Sequence, residues 1–168
     1  MKAENIRIVV SATHDGNHVN GEVPAAYAMR VLADGIDRTF TSGGRVAEVQ
    51  SMYAVGLEVA FNYLLAELSD QVTSTRPIVE VVVKSPKMSV RFDQGSESLL
   101  EKTVTGKTKA RDNIETWLAN AVMATHFEIR FRRPIGDEKA ILKSVEKLAK
   151  GEAQKHAQGR FGSGPKTW

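Results

Sequence analysis

The stretch AYAMRVLADGIDRTFT, residues 26–41, decides the fold. Ala26–Leu32 reads as one strand and Ile36–Thr41 as the next. Ala33-Asp34-Gly35 between them is a tight-turn signal, so the two pair back as a hairpin. Upstream, Ile6, Ile8 and Val10 alternate with their neighbours and predict a first strand running to about Ser11. The polar stretch that follows carries Asp15-Gly16 and Asn20-Gly21, which return the chain antiparallel.

Downstream, Ser42-Gly43-Gly44 is expected to break the strand. From Val46 to Leu68 the apolar residues Val49, Met52, Tyr53, Gly56, Ala60, Phe61, Leu64 and Leu68 recur at helical spacing. Ile78–Val83 is a dense β-branched run, typical of a strand buried on both faces. Ser85-Pro86 reads as the opening of a short helix through Phe92. The competing reading makes Lys84–Lys87 a turn and Met88–Phe92 a strand. Residues 94–111 are polar and irregular, and Asn113–Ala124 is amphipathic and helical, carrying Trp117. Phe127–Phe131 alternates as a fifth strand. Lys139–His156 is a closing helix with Ile141, Val145 and Leu148 on one face. Three meandering strands followed by strands separated by helices make an α/β fold: a five-stranded mixed sheet, with three antiparallel and two parallel-type strands, flanked by helices. One domain is expected over residues 1–157, with a flexible basic tail at 158–168.

Composition narrows the function classes. The 168 residues are 42% hydrophobic and 26% charged, which suits a globular chain and excludes a disordered one. With no cysteine there is neither a disulfide framework nor a thiolate metal site. No apolar run reaches membrane-span length and the start lacks a signal-peptide layout, so no membrane role and a cytoplasmic location are expected. The net charge of +3 is uneven. Residues 1–106 hold 10 Lys/Arg against 13 Asp/Glu, and residues 107–168 hold 13 against 7. A basic final third suits a polyanionic partner, and equally a solvated lysine-rich helix.

The element order resembles that of type-1 ribonuclease H proteins, and local motifs line up with it over about residues 5–155. Asp15-Gly16 followed by Tyr27 resembles the family's first-strand Asp-Gly and the aromatic that opens its second strand. Arg45-Val46-Ala47-Glu48 resembles the start of its first helix. Asn113-Ile114-Glu115-Thr116-Trp117 resembles the start of a later one, and Val145-Glu146-Lys147-Leu148-Ala149 its closing helix. The resemblance implies four carboxylates at the centre of the sheet holding two Mg²⁺ or Mn²⁺ ions for cleavage of RNA–DNA hybrid. Carried over by position, these fall at Asp15, Glu48, Lys84 and Glu146, so the metal ligands would be Asp15, Glu48 and Glu146 if the chain is active. Glu146 keeps the charge with one extra methylene. Lys84 supplies no ligand and repels a divalent ion. At ~4 Å and an effective dielectric near 20, that repulsion is several kcal/mol.

The flanking elements also differ from the family pattern. Gly43-Gly44 stands where polar residues contact the hybrid's ribose, and Pro134-Ile135-Gly136 lacks the expected histidine. Lys102, Lys107, Lys109 and Arg111, with Arg130, Arg132 and Arg133, make a candidate phosphate-contacting surface. Each of the candidate acids also has a plain structural reading: Asp15 as a turn residue, Glu48 as a first-turn helix acid and Glu146 as a solvated partner of nearby lysines. His14 and His18 read as loop residues rather than ligands. The expected function is therefore a domain that binds duplex or RNA–DNA hybrid nucleic acid with weakened or lost cleavage. One alternative is an active nuclease that recruits Asp137 or Glu138. The other is a protein-interaction or inhibitory module on the same fold.

Overall fold

The computed structural model describes residues 5–46, 49–69, 76–84 and 125–158. Five strands, β1 (Ile6–His14), β2 (Val23–Ala33), β3 (Ile36–Val46), β4 (Ile78–Val82) and β5 (Glu128–Arg132), form one sheet in the order β3-β2-β1-β4-β5. The first three are antiparallel neighbours. β1 pairs parallel with β4 and β4 parallel with β5. Among the described residues two helices, α1 (Val49–Glu67) and α2 (Glu138–Ala157), cover opposite faces. The expected mixed sheet is the one observed. The readings at 85–124, the residues Lys102, Lys107, Lys109 and Arg111 among them, and at the tail from 159 onward lie outside the described residues.

Strand periodicity explains the two faces. Even residues of β1 (Ile6, Ile8, Val10) join Tyr27, Met29, Val79 and Val81 beneath α1, where Leu57, Phe61 and Leu64 are fully buried. Val9, on the other face, packs with Ala28 and Val82 against Leu142, Val145 and Ala149 of α2. Phe61 stacks on Phe127 at 5.7 Å, tying α1 to the start of β5. The Asp34-Gly35 turn forms as expected, with Gly35 at φ 76°, a conformation that costs glycine no Cβ clash.

Two expectations are corrected. Ser42-Gly43-Gly44 does not end the third strand, which continues in register to Val46 opposite Val23. The glycines mark a close approach instead. A Cβ at Gly43 would lie 2.6 Å from the Ala25 carbonyl oxygen and 2.8 Å from the His156 ring, where α2 crosses the sheet. In the closing helix, the buried stripe is Leu142, Val145, Ala149 and Ala153, and Leu148 is 43% exposed. The helix turns its small alanines toward β2 and β3, so the larger Leu148 is left at the rim.

Gly43→Val should therefore force the sheet and α2 apart and destabilise the fold by about 1–3 kcal/mol. Urea unfolding is the check, and an unchanged midpoint would contradict the close approach.

Candidate functional site

β4 is shorter than β1, and this shapes the site. Their parallel pairing ends at Val9↔Val82, whereas β1 continues to His14 with, among the described residues, only β2 beside it. A notch therefore opens at the carboxyl end of β4. Ser11 lies two residues beyond Val9, and opposite Ala28 on the α2 face, while Lys84 lies two residues beyond Val82, just past the end of β4. Ser11 is a buried polar residue, 8% exposed, whereas Lys84 is exposed at the mouth.

Both helices reach this notch. From α1, the Tyr53 hydroxyl meets the Ser11 side chain and the Ala12 backbone. The Glu146 carboxylate of α2 is close enough to act on it. Burial, chiefly, and then that carboxylate push the Tyr53 hydroxyl above its usual range. Of the expected acids, Glu146 is thus within electrostatic range of Tyr53, and it is half-buried. Asp15 follows the end of β1, and its N–H donates to the Pro24 carbonyl at 3.0 Å. At about 3.3 Å per residue it stands roughly 13 Å beyond Ser11 along the strand direction. Glu48 lies outside the described residues.

Among the described residues the polar groups about the notch are therefore two hydroxyls, of Ser11 and Tyr53, the Glu146 carboxylate and the Lys84 ammonium. Among the described residues no three His, Cys, Asp or Glu side chains gather closely enough to hold a metal ion. A hard divalent cation needs several oxygen ligands and negative charge, and this set does not fit it. His14 and His18 are exposed.

A second charged cluster sits at the start of α2. Arg132 donates to both Glu138 oxygens, at 2.6 and 2.8 Å, and to Glu80 at 2.6 Å. Arg7 donates to Glu138 at 2.9 Å. Ile135 N–H donates to the same carboxylate. These residues line an open polar cleft of about 500 Å³ with Asn5, Gly136 and Asp137. The Arg132 guanidinium, helped by Arg7, pulls the Glu138 carboxyl down from 4.5 to about 2. Glu138, 2% exposed, is thereby committed to structure and is not free to replace a missing metal ligand. Of the candidate phosphate contacts, Arg132 is held in this cluster, Arg130 pairs with Glu128 at 2.7 Å, and Arg133 is exposed.

Ser11, Tyr53 and the Arg7–Glu138–Arg132–Glu80 cluster were not singled out in the sequence. The alternation Val9, Ser11, Thr13 was the available signal for Ser11. Nothing local announces a cluster whose members are up to 131 residues apart.

No protein-family model matches the chain, and no curated protein matches it. Solved structures do. The N-terminal RNase H domain of Rv2228c from Mycobacterium tuberculosis, fused to maltose-binding protein, is similar at TM-score 0.55. It shares 19% identity, and the match covers 93% of this chain and 99% of that one. LC11-RNase H1, isolated from compost by a metagenomic approach, is similar at TM-score 0.56 and 18% identity, over 90% and 97% of the two chains. The fold is ribonuclease H-like. The foamy viral protease–reverse transcriptase in complex with RNA/DNA hybrid matches at TM-score 0.60 and 12% identity, over 88% of this chain but 19% of that much longer one.

Within this ribonuclease H-like fold, the Glu138 cluster gives a pH signature. Its folded pKa is depressed, so its contribution is complete above about 4.5 and is lost as pH falls through about 2. The drop corresponds to about 3 kcal/mol. Glu138→Gln should cost about that much at pH 7, and its deficit relative to the parent should shrink as unfolding is measured at successively lower pH down to about 2. A deficit independent of pH would mean that the cluster is not ionic.

Proposed function

We propose that this chain is a ribonuclease H-like domain that binds duplex or RNA–DNA hybrid nucleic acid, with metal-dependent cleavage weakened or lost. The observation that supports the reading is the position of Ser11 and Lys84, each two residues beyond the last β1–β4 pair, Val9↔Val82. There a two-metal nuclease needs carboxylates to neutralise paired cations. A hydroxyl and an ammonium leave Glu146, with Glu48 and Asp15 as further candidates, to hold any Mg²⁺ or Mn²⁺ against an adjacent positive charge.

Support for a nucleic-acid partner comes from two directions. Two of the similar structures, both foamy viral protease–reverse transcriptases, were solved in complex with RNA/DNA hybrid and with dsDNA. Residues 107–168 hold 13 Lys/Arg against 7 Asp/Glu. Lys102, Lys107, Lys109, Arg111 and the exposed Arg133 would supply sequence-independent attraction to phosphates, with little call on Arg130 and Arg132, which already hold carboxylates. The active alternative needs a substitute acid, and Glu138 is locked beneath two arginines.

A labelled RNA–DNA hybrid titrated with the protein tests the reading. Retention that weakens steeply with salt, without strand cutting in Mg²⁺ or Mn²⁺, is expected. Metal-dependent cutting by the unaltered chain would overturn the loss of catalysis, and no retention at low salt would leave the protein-partner reading. Ser11→Asp combined with Lys84→Asp should create divalent-ion binding measurable by calorimetry. If that double variant stays inert to metal, the notch is the wrong site.

A further inference from the structure

β1 is the switch point of the sheet. The chain leaves its carboxyl end toward β2 on one side, and β4, its parallel neighbour, connects onward to β5 on the other. In open α/β sheets, ligands bind in the crevice outside the carboxyl ends of strands at such a point, because the connections diverge and leave it uncovered. Here that crevice is the notch above Val82. Ser11 and Lys84 flank it, each two residues beyond the last β1–β4 pair, Ser11 opposite Ala28 on the α2 face. Lys84 is exposed, and no carboxylate among the described residues pairs with it. A compact ammonium beside a hydroxyl is a donor set for an anion, and charge-assisted bonds of this kind are roughly twice as strong as neutral ones.

We propose that Lys84 and Ser11 form a phosphodiester-binding site that works without metal. The ammonium takes one anionic oxygen of the nucleic-acid backbone and the Ser11 hydroxyl donates to another, so that a fixed side-chain cation does what bound divalent ions would otherwise do. The inference rests on the nucleic-acid reading above. Glu146 works against it, since its carboxylate acts electrostatically on Tyr53, which reaches Ser11. That opposition makes the proposal testable by sign.

Hybrid affinity is measured by fluorescence anisotropy in EDTA and in Mg²⁺, for the parent chain and for Lys84→Met, Lys84→Arg and Glu146→Gln. The urea midpoint of each variant confirms folding. Affinity should be the same in EDTA and in Mg²⁺. Lys84→Met should lose about tenfold. Lys84→Arg should keep most of the affinity, and Glu146→Gln should tighten binding about threefold by removing a like charge from the phosphate. A metal-bridged site reverses every sign: EDTA weakens binding, Lys84→Met strengthens it and Glu146→Gln weakens it. That pattern, or hybrid bound equally well by Lys84→Met, would overturn the phosphate site while leaving nucleic-acid binding intact. A parent chain that retains no hybrid would overturn the underlying reading as well.

Discussion

The parallel pairing of β1 with β4, four residue pairs from Ile6↔Val79 to Val9↔Val82, is the constraint on which the rest of the molecule depends. Toward α1 both strands are apolar here, and toward α2 the buried Val9 and Val82 stand beside the charged pair Arg7 and Glu80, so a helix covers each face and the start of α2 answers the charges. Because β4 stops while β1 runs on, the pairing also creates the notch. A sheet that ended flush would bury Ser11 beside another strand. A staggered one lets Tyr53 from one face reach Ser11 within electrostatic range of Glu146 on the other.

The Glu138 cluster and the notch belong to one arrangement. Arg7 and Arg132 stand on β1 and β5, and both grip the first residue of α2. Gly43 accepts His156 near the other end of the same helix. A rigid helix held at both ends has its middle fixed. Glu146 stands eight residues, about 12 Å, beyond Glu138, and so its position at the notch is set by contacts remote from it. The electrostatic division follows. At the start of α2, two guanidiniums surround one buried carboxylate, which stays ionised and serves stability. At the notch, a lone ammonium faces solvent with its charge uncommitted among the described residues. Only the second can be offered to a ligand.

The elements with strong periodicity were legible in the sequence. Alternation over Ile6–Val10, the turn at Asp34-Gly35, the helical stripe from Met52 to Leu68 and the β-branched run at Val79–Val83 each report a local burial pattern, and each element formed where that pattern lies. The failures share one cause. Ser42-Gly43-Gly44 looked like a breaker because glycine has no strand preference of its own, whereas its role comes from a helix more than a hundred residues later. Leu148 looked like core because the helical stripe fits either of two faces, and only the small residues of the opposing sheet select between them.

What the amino-acid order determined by itself was the succession of elements, the ribonuclease H-like arrangement that succession implies, and the presence of a lysine just after the fourth strand. Only tertiary structure decided which residue stands beside that lysine. Asp15 carried the motif, but Ser11, four residues earlier, lies as far beyond the last β1–β4 pair as the lysine does, since pairing between strands is fixed by where β1 and β4 align and not by the identity of a turn dipeptide. Tertiary structure likewise turned Arg132 from a candidate phosphate contact into the anchor of Glu138. A guanidinium's partner is whatever carboxylate folding brings within reach, and no local pattern records that distance.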